Sequence, residues 1–200
     1  MTAVSDRDLI LASGDEPARF VEIFDRHFQS IYRYARRRAG ESAADDIASE
    51  TFLVAFARRG SYREDQPDAR PWLFGIATNL VRRRRRDEER MLRAYGRMAP
   101  GEHSDDHVAV DARVDAGRLQ PLLAKALLKL RRPERDTLLL IAWADLTYQE
   151  AAAALKVPVG TVRSRLSRAR ERIRKELRLS DPEQEDAGLN WNLQGEISDG

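Results

Sequence analysis

Apolar residues recur at helical spacing along most of the chain, and no segment alternates apolar and polar residues as a half-buried strand would. From about Glu16 to Ala39 an apolar side runs through Phe20, Ile23, Phe24, His27, Ile31, Tyr32 and Ala35, and Gly40 ends it. A second helix is predicted from about Ser42 through Asp45, Asp46, Ile47, Glu50, Phe52, Leu53 and Phe56 to the arginines before Gly60. After a polar loop, Pro71 opens a third helix. It is apolar at Trp72, Leu73, Ile76, Ala77 and Leu80 and turns cationic at Arg82, Arg83, Arg84, Arg85 and Arg86.

Between Ala99 and about Gly117 the chain is rich in Pro, Gly, Asp, His and Ser and shows little periodicity, as interdomain linkers do. Helical pattern resumes at Leu119 with Leu122, Leu123, Leu127, Leu128 and Leu130. Pro133 starts a further helix carrying Leu138, Leu139, Leu140, Ile141 and Trp143. The expected architecture is all-α: two small helical domains joined by a flexible linker, spanning 1–95, 96–118 and 119–180, with an acidic tail over 181–200.

The most informative stretch starts at Thr147. Thr147-x-x-Glu150 is a capping box that opens a short alanine-faced helix ending near Leu155. Lys156 and Val157 make a turn, and Pro158 suits the first turn of a second helix. On that helix Val162, Leu166, Ala169, Ile173 and Leu177 form one stripe, leaving Ser164, Ser167 and Arg168 opposite, flanked by Arg163 and Arg165. A cationic, serine-bearing face held across a short capped helix is a helix-turn-helix, the geometry that presents side chains to base edges in a major groove.

Composition narrows the function classes. With 42% hydrophobic and 34% charged residues the chain is foldable but not core-rich, which suits small helical modules. It has no cysteine, which excludes disulfides, thiol catalysis and cysteine-ligated zinc. No apolar signal region opens the sequence, and its longest apolar run, Leu138 to Ala144, is too short to span a bilayer, so a cytoplasmic location is expected. The net charge of +2 conceals an asymmetry. Six of the 33 carboxylates follow Ser180 and none of the 35 cationic residues does, so the body up to that point carries +8. A basic body suggests a polyanionic partner.

An enzyme reading rests on His103 and His107 beside Asp105, Asp106 and Asp111. That i, i+4 pair lies in the linker, with no helical pattern to hold it as a metal site. No catalytic residue, metal or cofactor is expected.

Three segments together resemble the extracytoplasmic-function sigma factors of bacterial RNA polymerase: Asp46-Ile47-Ala48-Ser49-Glu50-Thr51-Phe52, Pro71-Trp72-Leu73-Phe74-Gly75-Ile76-Ala77-Thr78-Asn79, and Val159-Gly160-Thr161-Val162-Arg163-Ser164-Arg165-Leu166. The resemblance covers roughly Phe20 to Leu179. It implies a transcription initiation factor that binds core polymerase through its β and β′ subunits, reads promoter DNA, and answers to an anti-sigma protein. Docking to the β′ clamp helices would fall on Asp45, Asp46, Glu50 and Phe52, although carboxylates near a helix start also favour the macrodipole whatever they bind. Reading and opening of the -10 element would fall on Asn79 and Arg82 to Arg86, with Trp72 in the core. Successive helix residues are about 100° apart, so about three of the five arginines can follow one backbone. Contacts to the -35 element would fall on Thr147, Tyr148, Thr161, Arg163, Ser164, Arg165, Ser167 and Arg168. Lys156 departs from the family pattern, which has glycine at this turn, and implies either a left-handed lysine or an altered crossing. A sigma-like regulator or decoy that binds without initiating is the alternative.

Overall fold

The computed structural model describes residues 4–62, 65–96 and 119–180. The linker segment 97–118, with His103 and His107, and the tail 181–200 lie outside the described residues. Eight α-helices follow one another among the described residues: α1 (Asp6–Ala12), α2 (Phe20–Ala39), α3 (Glu41–Ala57), α4 (Arg70–Gly96), α5 (Leu119–Leu128), α6 (Arg132–Ala144), α7 (Tyr148–Leu155) and α8 (Val159–Ser180). No described helix is long and apolar enough to cross a membrane.

Helix α1 was not anticipated from the sequence. Ser5 caps it by accepting the Asp8 amide at 3.2 Å, and Leu9 and Ile10 bury into the core. Asp6 ties it to two other elements. One oxygen takes Arg26 at 2.9 Å. The other lies 2.6 Å from Nε2 of His27 and accepts the Ala69 amide, just ahead of α4, at 3.1 Å. Burial alone would raise the Asp6 pKa, but the His27 bond, the Ala69 amide and Arg26 outweigh it and hold the carboxyl down at about 2.

The helix predicted from Glu16 begins with a 3-10 turn over Pro17–Arg19 and becomes α at Phe20. Gly40, at φ 84°, turns the chain at once into α3, which folds back along α2. The stripe drawn from the sequence needs revision. Tyr34 and Arg38 are buried on α2, whereas Phe24 is 38% exposed. Tyr34 is satisfied there by Thr78 Oγ1 of α4 at 2.9 Å and by an Arg38 N–H at 3.0 Å.

In the second domain α8 lays Val162, Leu166 and Ala169 inward. Leu127, Leu130, Leu139 and Ala169 form a local core from α5, α6 and α8. Arg135 is buried and caps the end of α5, donating to the carbonyls of Leu127 (2.8 Å), Leu128 (2.5 Å) and Leu130 (3.1 Å). The Leu127 carbonyl also accepts the Leu130 amide at 3.3 Å, so the guanidinium adds to the backbone bonding that closes this helix end.

The two domains are not simply strung on a tether. α4 packs directly on α7, and one continuous apolar cluster runs from Leu73, Phe74 and Ile76 to Leu140, Leu146, Ala151, Ala154 and Val162. Gly75 lets the helices meet: a Cβ there would lie 2.6 Å from the carbonyl oxygen of Ala154. Arg70 reinforces the seam by donating to the Ala144 carbonyl at 2.5 Å.

Candidate nucleic-acid and polymerase interfaces

Thr147 and Glu150 form the capping box in full. The Thr147 hydroxyl accepts the Glu150 amide at 3.2 Å, and the Glu150 carboxylate accepts the Thr147 amide at 2.6 Å. Lys156 closes α7 in the left-handed region, at φ 54° and ψ 48°, so of the two readings of this turn the left-handed lysine is the one observed. Pro158 stands one residue outside α8, not within its first turn, and its carbonyl accepts the Thr161 and Val162 amides at 2.9 and 3.3 Å.

On α8 Arg163, Ser164, Ser167 and Arg168 are exposed, while Thr161 and Arg165 are half-buried. Thr147 is exposed at the start of α7 and Tyr148 is half-buried beside it. Tyr148, Arg163, Leu166, Ser167, Arg170 and Arg174 line an open depression of about 220 Å³. Arg170 and Arg174 are additions to the sequence reading. The signal was legible, since 163, 167, 170 and 174 repeat at helical spacing. Arg168 turns toward the domain itself, with Nε 3.7 Å from the buried carboxylate of Glu134, which also meets Arg172 at 3.4 Å.

The arginine run on α4 diverges around the helix. Arg82 reaches Asp136 of α6 at 2.7 Å and bonds Asn79 Oδ1 at 3.3 Å. Arg83 lies 3.9 Å from Glu50, and Arg84 lies 3.5 Å from Asp46 and 3.2 Å from Glu88. Arg85 donates to the carbonyl of Arg38 at 2.8 Å. Asn79 and Arg86 are exposed. Asp45, Asp46 and Glu50 stand exposed on α3, so this acidic face and the arginine run are neighbours across the α3–α4 groove.

Phe52 corrects the sequence reading. It is 5% exposed, with its ring packed on Phe24 at 5.0 Å and Phe28 at 6.1 Å, and therefore supports the α3 surface from beneath. The apolar residue presented to solvent is its neighbour Leu53, 69% exposed. One residue, about 100° of helical phase, separates the two, and the sequence alone could not fix it. The nearest approach to a metal-ligand cluster among the described residues is Asp6, His27 and Asp68. The Asp6 oxygens already serve Arg26, His27 and the Ala69 amide, so this group is a structural pin.

Comparison with known proteins accords with this geometry. Residues 23–91 match the family described as Sigma-70 region 2, and residues 121–173 the family described as Sigma-70, region 4. The chain is 33% identical over 181 residues to the ECF RNA polymerase sigma factor SigE of Mycolicibacterium smegmatis, covering 86% of this chain and 66% of that protein. It is 31% identical over 173 residues to the ECF RNA polymerase sigma factor SigW of Bacillus subtilis, covering 82% and 91% respectively. The solved structure of CnrH in complex with the cytosolic domain of CnrY superposes with a TM-score of 0.61 at 25% identity, covering 88% of this chain and 99% of CnrH. The chain belongs to the extracytoplasmic-function group of the sigma-70 family, non-enzymatic initiation factors that direct RNA polymerase to promoters through region 2 at the -10 element and region 4 at the -35 element.

Proposed function

We propose that this chain divides promoter recognition among the surfaces described above. The observation that carries the reading is the capped α7–α8 pair, which buries one stripe of α8 and leaves Arg163, Ser164, Ser167 and Arg168 outside. Arg163 reads base edges of the -35 duplex, since a guanidinium matches guanine bidentately, and the serines bond to several bases. Tyr148, Arg170 and Arg174 border the same depression and hold the phosphate backbone, with Thr147, Thr161, Arg165 and Arg168 at its margins. On α4, Asn79 and the Arg82–Arg86 run engage the -10 element, chiefly through phosphates. On α3, Asp45, Asp46 and Glu50 dock the β′ subunit of core polymerase, with Leu53 as their apolar companion.

The chemistry of chain synthesis stays with the polymerase, and the work of this chain is placement, in the cytoplasm where the polymerase acts. CnrH was solved with the cytosolic domain of CnrY, and an anti-sigma partner is the corresponding expectation for this chain. The test is run-off transcription. Core polymerase supplemented with this chain should initiate at a defined start on duplex promoter DNA, and Arg163→Ala should weaken the preference for the matched -35 element. Binding to core polymerase without initiation on any promoter fragment would overturn the reading.

A further inference from the structure

The seam between the domains holds a buried ionic group whose partners come from both sides. Asp136 of α6 has a side chain only 3% exposed. One oxygen takes Arg38 at 2.5 Å and the other takes Arg82 at 2.7 Å. Arg38 is equally buried and braced by the Tyr34 hydroxyl, whereas Arg82 keeps 35% of its side chain in solvent. Around the carboxylate, Arg38, Arg82, Arg85, Arg132 and Arg135 line a crevice of about 20 Å³, roughly one water's worth of room. An oxyanion gripped between guanidinium forks is the arrangement that Arg side chains otherwise make with phosphate.

Promoter geometry says what must happen to this group. The -35 and -10 elements are nominally 25 positions apart, which at 3.4 Å per position is roughly 85 Å along the duplex. In this structure α4 and α7, one from each domain, touch backbone to backbone at Gly75 and Ala154. One closed chain cannot span that interval, so joint recognition requires the seam to part and Asp136 to leave both arginines.

We propose that Asp136 is an internal stand-in for a promoter phosphate: it occupies Arg82 and Arg38 while the domains are closed, and the DNA backbone takes Arg82 from it as they open. The proposal rests on the reading of α4 as the -10 contact. Exposure sets the order of events. Arg82 is reachable from solvent and meets the incoming phosphate first. Arg38 and Asp136 are then left as a buried pair short of one partner, which opening relieves by hydrating both. The exchange also hands the first domain a cationic face that the closed chain keeps neutralised.

The chain has no cysteine, so Ser49→Cys and Glu171→Cys, both at exposed positions, install a unique spin-label pair across the seam. The inter-label distance and the affinity for a single-stranded oligodeoxynucleotide are measured over a salt series in full-length protein, with Asp136 intact and as Asp136→Asn. The expected results are a longer distance in Asp136→Asn, several-fold tighter binding at low salt, and a log–log salt slope steeper by about 0.7 for each phosphate newly engaged. In the parent, added oligonucleotide should itself lengthen the distance, a measurement that holds even if the variant folds poorly. Unchanged distance overturns the proposal, as does opening without a change of slope. Arg86→Ala separates it from the reading beneath it. If that variant leaves affinity untouched, the -10 assignment of α4 has failed; if it weakens binding while Asp136→Asn leaves the slope alone, the phosphate stand-in has failed.

Discussion

Gly75→Ala sets two well-characterised effects against each other. Within α4 the substitution replaces the poorest common helix former with the best, a gain of about 1 kcal/mol for the helix taken alone. Against it stands α7. The added methyl would lie 2.6 Å from the Ala154 carbonyl oxygen and 3.3 Å from its carbonyl carbon and Cα, where ordinary contact begins at 3.4 Å. These are backbone atoms, so no rotamer change relieves the overlap and one helix must retreat by about 0.8 Å. Overpacking of this kind costs about 1–3 kcal/mol. The full chain should therefore lose up to about 2 kcal/mol net, a fall in melting temperature of up to about 8 °C for a protein of this size. A fragment ending at residue 96, which lacks α7, should be stabilised instead. Urea unfolding followed by far-UV circular dichroism on both proteins reads the two signs. The substitution should also be non-additive with Asp136→Asn, since either one weakens the same seam. Full-length Gly75→Ala at least as stable as the parent, with unchanged dimensions in small-angle scattering, would refute the reasoning.

Lys156→Gly removes the cost of a left-handed lysine but loosens the unfolded chain, so domain stability should rise by up to about 1 kcal/mol with DNA preference unchanged; thermal melts and a matched-versus-mismatched -35 titration check both halves. Arg163→Ala should cost about 1–3 kcal/mol at a matched -35 site and little at a mismatched one, whereas Arg86→Ala should weaken binding across sequences and flatten its salt dependence; equal losses at both sites for Arg163→Ala count against base reading. Asp6 titrates at about 2 when folded, below its unfolded value near 3.9, so its contribution is complete above about pH 5 and lost as pH falls toward 2. Asp6→Asn should therefore be less stable than the parent at neutral pH, with the gap closing in acid; a gap that stays constant from neutral pH down to pH 2 would show that the carboxylate charge is not what pins α1.

The helix-turn-helix was legible in the sequence almost to the residue, because its signals are local: a cap, its reciprocal partner three residues on, a proline and an apolar stripe all fall within 31 residues. What was not legible depends on distant partners. Arg132-Pro133-Glu134-Arg135-Asp136 looks like the solvated opening of a helix, yet Glu134, Arg135 and Asp136 are each less than 5% exposed. Asp136 is buried because Arg38, 98 residues away, meets it across the seam. The other oxygen of the same carboxylate holds Arg82, which the run of five arginines in the sequence does not foretell. Helix α1 escaped notice because seven residues give too little periodicity to stand out, and its stability comes from Asp6 reaching α2 and the start of α4. Phe52 and Leu53 show the limit of phase alone, since the stripe that faces the core is chosen by whichever helices pack on it.

Helix α8 is a rod of 22 residues, about 33 Å long, and its two halves have different employers. The front half carries the exposed Arg163, Ser164, Ser167 and Arg168. The rear half, through Ala169 and Ile173, is bedded on Leu127 and Leu130 beneath α5, with Lys129 3.5 Å from Glu176 as a further stay. The linker delivers the chain into the second domain at α5. On the proposed reading α8 is thus a lever, and a shift of α5 against its rear half becomes a change in the angle at which its front half meets the promoter.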